Sequence, residues 1–304
     1  MKRIKTISEF HQFRRLPAPE HPLISITEFD RVVQTEPIES MSWCYDFYAI
    51  GMKRVSFSDK INFRYGQQPF DFNEGILSFV APNQVMTLST DTKQETTQSG
   101  WLLLIHPDFL WNSALFKSIR KYEFWDYSVH ESLFLSAKEE ATLIQIFKNI
   151  QQEYHANIDR FSKQIIISQI ESLLNYSDRF YHRQFITREK ANHQLLEKLE
   201  ILLDDYFNSD MLATKGLPTV QYISETLNVS PNYLRGLLKI LTGHNTQQLI
   251  HDKLIEKAKE KLSVTNISIS EIAYALGFGH PQSFTKLFKS KTNLSPLAYR
   301  QSFN

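Results

Sequence analysis

Two stretches near the C-terminal end of this 304-residue chain carry side chains suited to bonding with another molecule. The first is Pro231-Asn232-Tyr233-Leu234-Arg235-Gly236-Leu237-Leu238-Lys239, and the second is Pro281-Gln282-Ser283-Phe284-Thr285-Lys286-Leu287-Phe288-Lys289. In each, apolar residues recur at helical spacing, so the polar residues between them share the opposite face. That face holds Asn232, Arg235 and Lys239 in the first stretch, and Gln282, Ser283, Thr285, Lys286 and Lys289 in the second. The chemistry open to such a set is recognition of a polyanion with readable edges. A guanidinium forks onto guanine, a planar amide pairs with adenine, and an ammonium meets phosphate as a point charge. A merely solvated helix face has the same composition, so the surroundings must separate the two readings.

Catalytic chemistry has no comparable foothold. Cys44 is the only cysteine, which excludes an intramolecular disulfide and a cysteine-based zinc site. His106 stands alone before Pro107 and reads as a structural histidine rather than a ligand. The chain has no HxH pair, no Gly-rich phosphate loop and no GxSxG elbow. No cofactor, no metal and no enzymatic activity are expected. Apolar runs such as Trp101 to Ile105 are too short to span a bilayer, and no apolar stretch follows the basic Met1-Lys2-Arg3 start. No membrane association is expected, and the cytoplasm is the expected compartment.

The two stretches are the second halves of a repeated unit. Val220 to Lys239 and Ile269 to Lys289 superimpose with Ile223 over Ile272, Ser224 over Ala273 and Leu227 over Leu276. One extra residue in the second turn brings Leu234, Leu237, Leu238 and Lys239 over Phe284, Leu287, Phe288 and Lys289, and Thr242-Gly243 over Thr292-Asn293. Such self-similarity means that one helix-turn-helix unit is used twice. Between the units, Thr246 to Leu262 reads as an amphipathic helix through Leu249, Leu254, Ala258 and Leu262, which would hold them in fixed relation. Residues 215 to 304 carry eleven basic against five acidic groups, whereas residues 1 to 214 carry 23 against 28. The excess of positive charge thus coincides with the repeat, as contact with a polyanion requires.

The rest of the chain has a different rhythm. Residues 1–20, with Pro17-Ala18-Pro19, read as a flexible tail. From 21 to 135, short β-like runs alternate with turn signals: Leu23 to Phe29, Ser42 to Gly51, Ile61 to Tyr65, Ile76 to Ala81 and Trp101 to Ile105. Trp43, Tyr45 and Phe47, and again Ile61, Phe63 and Tyr65, alternate as one face of a sheet, suggesting a small antiparallel barrel. Aromatics are dense there, including Phe70, Phe72, Phe79 and Trp101, mostly as core and in lesser part as candidate pocket lining. From 136 to 190 the period becomes helical. Ser136 with Glu139 forms a capping box ahead of Leu143, Phe147, Ile150 and Tyr154. A second helix from about 161 to 181 completes a hairpin, which serves either to pair protomers or to pack on the barrel. Phe185 to Arg188 reads as the interdomain connection, and residues 191–304 as the domain with the repeat.

The residues Ile272-Ala273, Leu276-Gly277-Phe278, Ser283-Phe284, Leu287-Phe288-Lys289, Ser295-Pro296 and Tyr299-Arg300 closely resemble the signature of the AraC/XylS family of bacterial transcription regulators. The resemblance covers about residues 195 to 304. Residues 20 to 190 also resemble the regulatory half of one AraC subfamily through Tyr65-Gly66-Gln67, Phe70-Asp71-Phe72, Pro82-Asn83-Gln84-Val85, His106-Pro107-Asp108 and Arg179-Phe180-Tyr181. The implied fold is α+β: an N-terminal cupin-like β-barrel with a helical hairpin, then a C-terminal all-α domain with two helix-turn-helix units. The implied function is regulation of transcription, chiefly activation, by a homodimer that binds double-stranded promoter DNA and RNA polymerase and responds to a small-molecule effector in the barrel. A ligand-independent dimerisation module and a cupin enzyme domain remain the other readings of the N-terminal half. Three positions depart from the family pattern. Asn293 replaces the usual Gly at a left-handed helix end, Lys253 replaces an Arg and keeps charge for a phosphate, and Gly236 stands where a long side chain often reaches DNA. Two such helices in one rigid domain enter successive major-groove segments about 34 Å apart.

Overall fold

The computed structural model describes residues 2–34, 41–57, 64–65, 68–69, 75–88, 96–127, 131–156, 159–187, 189–264 and 267–302. The chain divides into two compact units, Met1–Gln184 and Phe185–Asn304. The first is α+β and the second is all-α.

The strands of the N-terminal unit are β1 (Lys2–Ile4), β2 (Ile24–Gln34), β3 (Met41–Tyr45), β4 (Tyr48–Phe57), β5 (Arg64–Tyr65), β6 (Gln68–Pro69), β7 (Gly75–Val80), β8 (Val85–Leu88), β9 (Thr96–Ile105) and β10 (Leu133–Leu135). Five of them form an antiparallel sheet in the order β10-β7-β4-β9-β2, three form β1-β3-β8, and β5 pairs with β6. Among the described residues these sheets are open, which corrects the expected closed barrel. β10 and β2 are the edges of the larger sheet and neither pairs with the smaller one. Closure depends on a stagger of hydrogen bonds around the whole ring, which the alternation of single strands does not specify. Ile61, Phe63, Gly66, Phe70 and Phe72, expected in strands, in turns or as pocket lining, lie outside the described residues.

The expected strand Ser42 to Gly51 is two strands in two sheets. Between them Asp46 turns the chain, its N–H donating to the Ile4 carbonyl at 3.1 Å and its carboxylate meeting Arg3 at 2.7 Å. Trp43, Tyr45 and Phe47 are all buried, in one cluster with Ile4, Ile7, Phe10, Ala49, Val80 and Leu104. The first residues are therefore not a loose tail. β1 runs parallel to β3, and helix α1 (Ile7–Phe13) starts at a capping box in which Thr6 and Glu9 bond reciprocally. Phe10 meets Tyr45 and Phe47 edge-on, with centroids 5.4 and 6.0 Å away. The segment is too short for its periodicity to show in sequence, yet its few apolar residues fill the end of the core.

The helical hairpin is present and longer than expected. After the short α2 (Ala114–Ser118) come α3 (Ala137–Tyr154) and α4 (Ser162–Thr187). Ser136 and Glu139 form the anticipated capping box. Leu143, Phe147, Ile150, Ile166, Ile170, Leu173 and Leu174 are buried, and Phe147 stacks on Trp101 at 5.7 Å. One apolar face of each hairpin helix is thus spent on packing within the unit, whereas Ile165 and Tyr176 of α4 stay exposed. Arg54 on β4 holds the buried Glu140 of α3 with two bonds of 2.5 and 2.6 Å, and Arg183 holds Glu139 at 2.8 Å. The expected connection Phe185 to Arg188 is helical through Thr187, and the units divide at Gln184 and Phe185.

The C-terminal unit holds α5 (Glu189–Asn208), α6 (Met211–Lys215), α7 (Val220–Thr226), α8 (Pro231–Thr242), α9 (Thr246–Val264), α10 (Ile269–Ala275), α11 (Pro281–Thr292) and α12 (Pro296–Gln301). Buried Ile250, Leu254, Ile255, Ala258 and Leu262 form one stripe of α9, which packs against α5, α8, α10, α11 and α12.

Since Phe10 is core rather than tail, Phe10→Ala is expected to destabilise the protein by about 3–5 kcal/mol in urea unfolding, as for other buried aromatics. A change within about 0.5 kcal/mol, the size typical of surface substitutions, would restore the tail.

Candidate nucleic-acid interface

The turns of the two helix-turn-helix units close with the same backbone bonds. Leu227 N–H donates to Ile223 O and Leu276 N–H to Ile272 O, both at 2.9 Å; Val229 to Ser224 and Phe278 to Ala273 are both 3.0 Å. Each first helix therefore ends on the same closed turn. The residue that turns the chain has positive φ in both, Asn228 at 55° and Gly277 at 79°. Gly277 has a second reason to lack a side chain: a Cβ there would lie 2.6 Å from the Leu212 carbonyl oxygen and 2.9 Å from Gly216 Cα. Gly243 has positive φ as well, but a Cβ on it would meet nothing within 4 Å.

The second helices start alike, with Pro231 and Pro281 in the first turn, where the missing N–H costs nothing. Ser230 caps α8 by accepting from Tyr233 N–H at 3.2 Å, whereas His280 makes no capping bond at α11. Both end in left-handed residues, Gly243 and Asn293, whose N–H groups bond Lys239 and Lys289 carbonyls. The Asn293 cap expected from sequence is therefore present, with φ 62°. Thr242 and Thr292 repeat as well, each hydroxyl donating to the carbonyl four residues back, at 2.7 and 2.8 Å.

These joints orient the polar faces. Leu234, Leu237, Leu238, Phe284 and Phe288 are buried, with Leu287 half-buried. Of the residues picked from sequence, Arg235, Lys239, Gln282, Ser283, Lys286 and Lys289 are exposed, and Asn232 and Thr285 are half-buried. The Thr285 hydroxyl donates to the Pro281 carbonyl at 3.0 Å, which leaves it an acceptor for a partner. Asn232, Arg235 and Lys239 occupy one stripe of α8, and Gln282, Lys286 and Lys289 one stripe of α11. With Pro231 matched to Pro281, Asn232 corresponds to Gln282, Arg235 to Thr285, Gly236 to Lys286 and Lys239 to Lys289.

Cations divide into two groups that sequence alone does not separate. Lys239, Lys286 and Lys289 stand in no ion pair among the described residues. Lys253 lies 2.5 Å from Asp204 on α5 and 3.6 Å from Glu256, and the hydrogen bond to Asp204 raises its pKa. The expectation that Lys253 keeps a phosphate contact is thus corrected: it clasps α9 to α5. Lys257 pairs with Glu260, and Lys291 bonds Asp252 at 2.8 Å. No charge pattern local to the chain marks Lys291 and Asp252, which sequence reasoning passed over. His280, exposed and uncapping, was also passed over; a histidine where Ser, Thr, Asp or Asn is usual was the available signal. Among the described residues no group of three or more His, Cys, Asp or Glu could hold a metal. No helix there is long and apolar enough to cross a membrane.

Residues 223–302 match the family described as "Helix-turn-helix domain". The chain is 34% identical over 84 residues to the raffinose operon transcriptional regulatory protein of Pediococcus pentosaceus, a match covering 28% of this chain and 30% of that one. It is 27% identical over 146 residues to an uncharacterized HTH-type transcriptional regulator of Bacillus subtilis (strain 168), covering 48% and 43%. The chain thus spans less than half the length of these relatives. The C-terminal domain of the two-component response regulator yesN from Fusobacterium nucleatum is 28% identical, with a TM-score of 0.30, covering 34% of this chain and 95% of that one. Residues 223–302 thus form a helix-turn-helix domain similar to that of HTH-type transcriptional regulators.

Two stability outcomes follow from the repeat. Gly277→Ala is expected to cost at least about 2 kcal/mol more than Gly243→Ala, which bears only the left-handed penalty of about 1–2 kcal/mol. Equal losses in urea unfolding would contradict the close approach. Ser224 Oγ is buried with no hydrogen-bond partner among the described residues, while its counterpart is Ala273. Ser224→Ala should leave stability unchanged or raise it by about 1 kcal/mol; a loss would show that the hydroxyl has a partner.

Proposed function

We propose that a chain ending in this domain is a sequence-specific regulator of transcription, which reads double-stranded promoter DNA with α8 and α11 in successive segments of the major groove. The observation that carries this reading is the pair of repeated helices, each buried along its apolar stripe and exposed along a polar one whose lysines are not neutralised. Arg235 forks onto guanine, Asn232 and Gln282 pair with adenine, and Lys239 and Lys289 meet phosphates at equivalent places. Ser283, Thr285 and Lys286 complete the second face. Arg235 corresponds to Thr285 and Gly236 to Lys286, so the two boxes differ in sequence and the site is not a palindrome within one protomer.

The N-terminal unit receives the signal. A small-molecule effector bound by its cupin-like sheets controls the domain, the protein acts as a homodimer in the cytoplasm, and on the promoter it contacts RNA polymerase as an activator. The hairpin still exposes Phe161, Ile165 and Tyr176, an apolar surface open to a second protomer.

Selection of bound sites from random DNA is expected to yield two unlike boxes about one helical turn apart. On the selected site, Arg235→Ala and Gln282→Ala should each lose about 1–3 kcal/mol of discrimination in one box. Lys289→Ala should weaken binding to all sequences and lower the salt slope by about one unit. Equal losses on selected and random DNA for all three variants refute the assignments.

A further inference from the structure

The Asp252 carboxylate, in the second turn of α9, lies between groups leading from both reading helices. Lys291, in the last turn of α11, donates to its Oδ1 at 2.8 Å. His244, the residue after the left-handed Gly243 that ends α8, places Nδ1 3.6 Å from its Oδ2. The neighbouring His251 has its pKa lowered, first by burial and then by Lys291, with Asp252 acting in the opposite sense.

The geometry points to Asp252 as the positioning residue that sets the angle and separation of the two reading helices, and with them the spacing between DNA boxes that the protein accepts. This rests on the reading of α8 and α11 as DNA readers. Apolar contact holds both helices against α9, but it is non-directional and leaves each free to rock about its packed stripe. A directional bond at the end of α11 restrains that freedom there, and the same carboxylate stands 3.6 Å from His244 at the exit of α8, which couples the two ends through one side chain. Asp252 and Lys291 side chains are 39% and 31% exposed, so the pair contributes little to folding. Its effect belongs to geometry instead, and shows where two boxes must be met simultaneously. It is the counterpart of a linker whose length decides whether two modules engage together.

The test uses the full chain and the two-box site selected from random DNA. Spacer variants of that site are one base pair longer or shorter, and control duplexes have one box scrambled. Asp252→Asn, nearly isosteric, should bind the intact site about fivefold more weakly, as expected for losing an exposed pair. It should bind each single-box duplex as the unaltered protein does, and accept the altered spacers relatively better. The exchange Asp252→Lys with Lys291→Asp, which re-forms the α11 pair but not the contact with His244, should restore the original spacer preference only in part. Unchanged spacer preference in Asp252→Asn overturns the proposal, as does equal loss on single-box duplexes, which marks a purely structural residue. If the unaltered protein itself selects only one box, the two-helix reading fails and takes this proposal with it.

Discussion

Ile250, Leu254, Ile255, Ala258 and Leu262 bury one stripe of α9, and five helices of the C-terminal unit stand around it. Neither helix-turn-helix unit has a core of its own large enough to persist. α7 and α10 are seven residues each, and a helix of that length is marginal in water without tertiary packing. Leaning both units on one long helix solves the burial problem for both. It also makes them parts of a single body rather than two beads on a linker. That arrangement fixes the two short polar faces relative to each other.

Burial alone does not aim a polar face. The aim comes from joints that permit few alternatives: a residue of positive φ in each turn, a proline opening each reading helix, and a left-handed residue closing it. These repeat between units although the residues differ, Asn228 against Gly277 and Gly243 against Asn293. Asn adopts the left-handed region at lower cost than other side-chain-bearing residues, which is why it substitutes for glycine here. At Gly277 it could not, because the Leu212 carbonyl occupies the space.

The lysines show how a modest positive excess is shaped. Lys253, Lys257 and Lys291 face carboxylates within the unit, whereas Lys239, Lys286 and Lys289 do not among the described residues. The first group braces helices and the second leaves charge on the reading faces. Formal charge counted along the chain treats both alike. In the N-terminal unit a comparable division holds for arginines, with Arg54 and Arg183 binding the hairpin's carboxylates rather than facing outward alone.

Much of the C-terminal unit was legible before any coordinates. Helix periodicity, the prolines that open α8 and α11, and the Thr-Gly and Thr-Asn endings are local signals, each acting within about one turn. Exposure of Arg235, Lys239, Gln282 and Lys289 followed from the same period. The N-terminal unit was less legible, since Ser42 to Gly51 reads as one strand until Asp46 meets Ile4 and Arg3, residues far back in the chain. Residues 2 to 13 read as a tail for the same reason: what orders them is a parallel partner forty residues on. By itself, then, the order of residues determined the repeat and the polar faces, because periodicity and capping are properties of neighbours. Only the tertiary structure decided that the sheets stay open, that Lys253 turns inward to Asp204, and that Asp252 meets both His244 and Lys291. Those outcomes depend on which distant groups arrive at the same place, and no local pattern records that.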